Sequence, residues 1–360
     1  MVAHLLAFFN PALRGLRSIQ ELFNDARVRR RFGTPRVPKS TLADAQRLFD
    51  PQLLMPLIET LQRRLAPPTP AAPLDQVTRQ LLAVDGSFFA VAPRIAWALY
   101  NQNAGPRPVR KGNVRLHTHF DVRRGIPTRV GLTDGHYSES QHLRARLEPD
   151  SFYLLDRGFQ AYALLGSILE IGSDFVVRLR KSVHGNVLET NALTPADQAA
   201  GVVADEWLEL GWRRKEVAAL PRLRRVVIQS VDRTGQANVV LLLTNRGDLP
   251  AHVVAMLYRY RWQVELFFRW LKCVAHFEHF FSESPAGMTL QVYVAIIGTL
   301  LIALQIGARP TKYDYALMTS TMLGWTTIDH VVAMALQRRQ AAERAAARAA
   351  ARRAAQKTKA

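Results

Sequence analysis

The side chains of this sequence best placed for chemistry are carboxylates in apolar surroundings and one short run that mixes charge with aromatic rings. Asp85 stands inside the apolar run LLAVDGSFF (81–89), where a charge is costly unless a partner or a metal compensates it. Asp156 closes a second apolar run, FYLLD (152–156), and is followed by Arg157 and Gly158. Each alone is weak, since a strand-end Asp-Gly is usually a turn and Asp-Arg-Gly usually a helix entry. The third element is sharper. The stretch YRYRWQVELFFRWLK (258–272) is apolar on nearly every side. At 100° per residue, however, Tyr258, Arg261, Glu265 and Lys272 share one arc of about 60°. A plain surface stripe with an Arg261–Glu265 pair at i, i+4 would look the same. The alternative is a stripe that faces a site or an anion.

Together the three carboxylates make chemical sense. Breaking a phosphodiester requires an activated water or 3′-hydroxyl, a stabilised leaving oxygen and neutralised phosphate charge, and two divalent ions supply all three. Mg²⁺ or Mn²⁺ prefers oxygen ligands, and Asp85, Asp156 and Glu265 would hold two such ions while leaving positions for water and phosphate. Arg261 and Lys272 would then grip the phosphates. The charge balance agrees. Lys and Arg number 48 against 29 Asp and Glu, a net +19, which implies a polyanionic partner, most often nucleic acid. A 48% apolar composition excludes a wholly disordered chain, and the single cysteine, Cys273, excludes a disulfide framework and any multi-cysteine zinc site, so a reducing cytoplasm fits.

Other signals are weaker. His117 with His119, and His276 with His279, have metal-like spacing, but no matching second pair exists, so structural or phosphate-facing roles are favoured. The run from Gly105 to Gly112 lacks the order of a P-loop, so ATP use is not expected. Ser87 and Ser151 have no His/Asp arrangement suggesting acyl transfer. The N-terminal stretch is apolar but carries no basic leader and breaks at Asn10-Pro11, unlike a signal peptide. Ser284–Ala308 is uncharged and long enough to suggest a membrane span. Its terminal glutamines, its early Pro285 and Gly287, and the lack of a second such stretch favour a helix buried on all sides.

The elements that must position these residues are legible in outline. Residues 1–75 carry helical spacing, as in Leu53, Leu57, Leu61 and Leu65, with a basic stretch at Arg27, Arg29, Arg30 and Arg31 and a linker-like PPTPAAP at 67–73. Strands are expected at 81–89, 114–122, 128–134, 152–156, 174–180 and 239–245, and helices at 138–147 and 159–171, which together make a mixed α/β sheet. Residues 182–238 are polar and basic and contain Trp207 and Trp212. Beyond His252 the chain reads as helical to an Ala/Arg-rich tail, in which eight basic residues oppose Glu343, a net +7. That tail is either a solvated helix or a non-specific DNA-contacting arm.

Tyr258, Arg261, Glu265 and Lys272 match the Y-(2)-R-(3)-E-(6)-K signature of IS4-type insertion-sequence transposases, a family this chain resembles from about residue 80 to 305. Asp85 in VDGS and Asp156 in LDRGF resemble its two other acidic motifs, and LHTHFD (116–121) and VGLTDG (130–135) its neighbouring strands. The resemblance implies a ribonuclease-H-like mixed sheet flanked by helices, with a DDE triad. It implies a core formed by 76–181 and 246–310, a β-rich insertion at 182–245, a helical N-terminal region (1–75) suited to binding DNA ends, and a C-terminal region (311–360). It further implies metal-dependent cleavage and strand transfer, by cut and paste, at terminal inverted repeats and target DNA. The partner set that follows is DNA, and a homodimer in the DNA complex, with no membrane and no ATP, in a bacterial or archaeal cytoplasm and at the nucleoid when acting. Tyr258, Arg261, Lys272 and Arg157 would contact DNA, and Trp207 or Trp212 would stack on an unpaired base near the cut. Two rivals are a non-catalytic DNA-binding protein derived from such an element, and a structure-selective nuclease on the same core. The three acidic residues argue against the first and the Tyr258–Lys272 signature against the second.

Overall fold

The computed structural model describes residues 2–357 apart from 11, 14, 66–73, 75–76, 93–94, 103–108, 181–184, 211–219, 232–236, 274–279 and 308–309. Helices α1 (Val2–Phe9), α2 (Leu16–Asn24), α3 (Ala26–Phe32), α4 (Lys39–Leu48) and α5 (Met55–Arg63) come first. Strands β1 (Gln80–Val91), β2 (Leu99–Gln102), β3 (Val109–Asp121) and β4 (Ile126–Asp134) follow, then α6 (Glu139–Arg144), β5 (Ser151–Leu155), α7 (Tyr162–Glu170) and β6 (Asp174–Arg178). Next are β7 (Gly185–Thr190), α8 (Pro195–Ala199), β8 (Val202–Leu210), β9 (Leu223–Val231) and β10 (Ala237–Thr244). The chain closes with α9 (Ala251–Tyr260), α10 (Trp262–Cys273), α11 (Pro285–Ile306), α12 (Lys312–Met322) and α13 (Ile328–Lys357). Two compact units result, Pro67–Lys272, and Met1–Ala66 with Cys273–Ala360.

In the unit Pro67–Lys272 the strands form one sheet in the order β2-β3-β1-β5-β6-β10-β9-β8-β7, with β4 also on β3. β3 runs antiparallel to β1 and β4, whereas β1, β5 and β6 are mutually parallel neighbours. This is the expected ribonuclease-H-like mixed sheet flanked by helices. Every residue of β5 is buried, as a parallel strand covered on both faces must be. Alternation sends Leu82, Val84, Tyr153 and Leu155 to one face, where they pack with Leu143 of α6 and with Leu164, Leu165 and Ile168 of α7. α9 covers β5 and β6 on the other.

The segment between β6 and α9 continues the sheet through antiparallel β10, β9, β8 and β7. Buried ion pairs fasten it. Arg224 on β9 donates from Nε and Nη2 to the two carboxylate oxygens of Asp205 on β8, both at 2.7 Å, and also to the carbonyl of Leu249 just before α9. Asp197 of α8 accepts from the backbone N–H of His252 and lies 2.8 Å from its Nδ1. The first turn of α9 is therefore tied to the added strands.

In the helical unit, α11 packs against α1, α4, α5 and α13. It is long and apolar enough to cross a membrane by length and composition, yet 72% of its most apolar window is buried among these helices. Ser284 caps its first turn through the Gly287 N–H, and Gly307 ends it in the left-handed conformation. The arginines expected to be basic surface, Arg27, Arg30 and Arg31 of α3, are exposed. α13 runs unbroken, anchored by buried Val331 and Ala335, and is exposed over 341–349.

Candidate active site

Strand register brings the first two carboxylates together. β1 and β5 are parallel with Val84 opposite Leu155, so the next residues, Asp85 and Asp156, stand side by side where β5 ends. Both have the alternation parity opposite to Val84 and Leu155, and so face the α9–α10 side. This is the carboxyl edge of parallel strands, where open α/β sheets place their ligands. Beyond Asp156 a short 3-10 turn, Arg157–Phe159, is pinned by buried Phe159.

The helix expected from His252 onward is jointed at Arg261: α9 ends at Tyr260, α10 runs from Trp262 to Cys273, and Phe280 and Phe281 are not helical. The stripe survives the break: Tyr258, Arg261 and Lys272 reach side chains of or next to β1 and β5, and Glu265 pairs with Arg261. The Tyr258 hydroxyl lies 3.4 Å from Asp156 Oδ1. Arg261, buried, places Nη1 3.7 Å from Asp85 Oδ2 and donates through Nη2 to Glu265 Oε1 at 2.5 Å. Lys272 Nζ donates to Ser87 Oγ at 2.7 Å and sits 5.0 Å from the centre of the Phe89 ring. Buried Val264, Phe267, Phe268 and Leu271 flank the stripe and pack α10 into the unit, with Phe267 against Phe120 of β3.

Burial pushes the Asp85 carboxyl up to about 7; the Gly86 N–H and Arg261 pull it down, while Glu139 and Glu265 add to the rise. Burial likewise raises the Tyr258 phenol. Burial is the larger cause of this rise, and the neighbouring carboxylates add the smaller part. The donors are oxygens only, the set that Mg²⁺ and Mn²⁺ take, and in this chemistry the residues fit a divalent cation. As the side chains stand, no three Asp, Glu, His or Cys among the described residues converge tightly enough to ligate one ion. Arg261 bridges Asp85 and Glu265 instead.

Of the other sequence-derived candidates, Arg157 is exposed beside Asp156. Trp207 lies on β8, three strands beyond β6, with the Arg222 guanidinium 4.7 Å from its ring centre and its edge against Gly247, so stacking on a base would require Arg222 to move. Trp212, His276 and His279 lie outside the described residues. His117 is structural: its ring stacks at 3.8 Å on His142 of α6 and its Nε2 is 2.8 Å from Thr133 Oγ1. His119 is buried near Glu148. Sequence reasoning missed Ser87 as the partner of Lys272, and it missed Glu139, which lies against the glycines that follow the two aspartates. The signal for Glu139 was present in those paired glycines, Gly86 and Gly158.

Comparison with known proteins agrees with this geometry. Residues 77–301, more than half of the chain, match the family described as Transposase DDE domain. The chain is similar to a Sinorhizobium fredii protein, y4zB, named as a transposase: 26% identical over 279 residues, which cover 76% of this chain and 72% of the relative. It is also similar to a Geobacillus stearothermophilus protein named as a transposase for insertion sequence element IS5377, 23% identical over 226 residues, 62% of this chain and 56% of that relative.

Proposed function

The chain belongs to the family of transposases with a DDE domain, and from that premise we propose that it cuts and rejoins DNA at the ends of an insertion sequence, as an IS4-type enzyme moving by cut and paste. The observation that carries this reading is the pairing of Val84 with Leu155, which sets Asp85 beside Asp156 where β5 ends, with Tyr258, Arg261 and Lys272 reaching Asp156, Asp85 and Ser87 and Glu265 paired to Arg261. Asp85, Asp156 and Glu265 would hold Mg²⁺ or Mn²⁺, two ions in this reading, which would supply activation of the attacking oxygen and charge stabilisation at the leaving 3′-oxygen.

The remaining roles belong to the chain's own cations. Arg261, always charged, exchanges a carboxylate for a phosphate oxygen, and Lys272, Arg157 and the Tyr258 hydroxyl hold the same strand. In cleavage a water oxygen bonds to phosphorus, and the 3′-oxygen leaves and takes up a proton. In transfer that 3′-hydroxyl attacks a target phosphorus and a target 3′-oxygen leaves. Each step makes one P–O bond and breaks one, so no ATP is consumed. Cutting two ends in step uses two copies of the chain. End binding falls to the helical region 1–75, where α3 exposes its arginines.

The test is excision from a supercoiled plasmid that carries the inverted repeats flanking the reading frame, in Mg²⁺. Asp85→Asn, Asp156→Asn and Glu265→Gln are each expected to cut at least about a thousandfold more slowly while still binding end DNA. Near-wild-type cutting by any one of them removes that residue from the triad.

A further inference from the structure

Glu139 takes no part in the reading above, yet its carboxylate lies against the glycines that follow the two aspartates and acts electrostatically on their site. It opens α6, on the face of the sheet opposite α10. Three contacts seat that helix. The His142 ring stacks on His117 with planes 9° apart and lies over Gly131, where a Cβ would come within 2.7 Å of Nε2. The Ser140 hydroxyl donates to the Gly158 carbonyl at 3.1 Å, and Arg144 Nε to the Ser167 hydroxyl at 2.9 Å. So fixed, Glu139 lies against the backbone just beyond each aspartate. A Cβ on Gly86, the residue after Asp85, would collide with its Oε1, and one on Gly158, two residues after Asp156, would lie 3.8 Å from its Oε2.

Among the described residues only the charge of Arg115 offsets this carboxylate, and without a direct bond. Among the described residues it accepts no hydrogen bond and has no ion pair within 4 Å. Arg115, the nearest source of positive charge acting on it, lies with its guanidinium 4.3 Å from the centre of the Phe88 ring and donates to the Tyr137 carbonyl at 3.1 Å. A half-buried carboxylate held beside two others is unfavourable unless a cation joins them. Other side chains at Gly86 would keep it out.

We infer that Glu139 is a fourth carboxylate ligand of the site, sharing with Asp85 and Asp156 the divalent cation they hold, and that Gly86 keeps the space for it. The inference rests on the metal-dependent reading above, so its test separates the two. Mn²⁺ uptake by the full chain without DNA is measured calorimetrically, beside the Mg²⁺ concentration giving half-maximal plasmid cutting. Glu139→Gln is expected to bind Mn²⁺ at least about tenfold more weakly and to need correspondingly more Mg²⁺. Arg115→Gln, which removes only the neighbouring charge, is expected to bind Mn²⁺ no more weakly than wild type. Asp85→Asn is expected to lose Mn²⁺ uptake and cutting together. Wild-type Mn²⁺ affinity in Glu139→Gln, with uptake lost in Asp85→Asn, overturns the role of Glu139 and leaves the site reading standing. Wild-type uptake in Asp85→Asn overturns the site reading itself. If Glu139→Gln proves insoluble, Gly86→Ala displaces the same carboxylate with a methyl group, and an unchanged Mn²⁺ affinity there is equally decisive against the inference.

Discussion

Buried and half-buried acids fall into two groups on and beside the sheet, and the protein treats them in opposite ways. In and beside the added strands the acids are met in full. Asp205 of β8 receives both prongs of Arg224, Asp174 of β6 shares Arg246 with the exposed Asp248, and Asp197 of α8 takes the Thr194 hydroxyl together with His252. Burial works against the Asp197 carboxylate, but the hydrogen bonds from Thr194 and His252 outweigh it and hold the group below the usual range. Where β5 ends beside the middle of β1 the provision is thin. Asp85 has one backbone N–H and a guanidinium at 3.7 Å, Asp156 a phenol at 3.4 Å, and Arg261 is also the partner of Glu265. Residues of one type, on and beside one sheet, are completed from within in one place and left to be completed from outside in the other. That contrast marks where function lies, because perturbed acids in an otherwise well-paired protein gather at sites that act on something else.

The contrast can be broken most forcefully by removing one acid from each group. Asp205→Asn strands the Arg224 charge in the sheet and is expected to cost about 3–5 kcal/mol in chemical denaturation. Asp85→Asn is expected to cost nothing and to stabilise at neutral pH. The sign follows from the Asp85 carboxyl, raised from 3.8 to about 7 in the folded chain. Between those values the folded state holds a proton that the unfolded state has lost, so wild-type stability falls as pH rises from 4 to 7, and Asn escapes that fall. Equal losses in the two variants would erase the distinction.

A second test concerns the buried imidazoles under α6. Burial lowers His117 from 6.5 to about 2 and His142 to about 3, so both are neutral in the fold. Below pH 6.5 the unfolded chain binds protons that the folded chain cannot. Their contribution is intact above about 6.5 and is lost as pH falls toward 3, at about 1.4 kcal/mol per unit for each ring. His142→Phe is expected to flatten that slope by about one proton in denaturation titrations between pH 6.5 and 5. An unchanged slope would mean that His142 is protonated in the fold.

The smallest effect separates the rim from the buried pairs. Lys272 is exposed, so Lys272→Ala is expected to change stability by no more than about 0.5 kcal/mol. Loss of a charge-assisted phosphate contact, about 1.5–3 kcal/mol, should nonetheless weaken end binding about ten- to hundredfold in a DNA titration. Melting well below wild type would make Lys272 a structural strut for Ser87.

Much of this was legible in the sequence for a physical reason. Strands β1, β5 and β6 are continuous apolar runs because parallel strands are covered on both faces, so Asp85 and Asp156 stood out as charges where none should be. The stripe from Tyr258 to Lys272 survives as helical periodicity although the helix is jointed at Arg261, where no glycine or proline announces the break. The strands from β7 to β9 were not individually legible. β7 is exposed along nearly its whole length, and β8 turns Asp205 inward where an apolar residue would be expected, because Arg224 comes from the next strand to meet it. Glu139 and His142 escaped notice because what they meet is distant in sequence, Gly86 and Gly158 for the first and His117 and Gly131 for the second, and the glycines were the only mark of it. α11 read correctly as buried, but a helix apolar all round does not say what buries it, and its neighbours are helices from both ends of the chain.

The most direct test of the claim that the acids where β5 ends await an external cation is a melting curve in rising MgCl₂ or MnCl₂ at pH 8. A cation that binds only the folded state raises the melting temperature by mass action. Wild type is expected to rise with metal concentration, Asp205→Asn to rise by the same amount from a lower start, and Asp85→Asn to stay flat. A rise in Asp85→Asn equal to that of wild type, or no rise in wild type, would contradict the account.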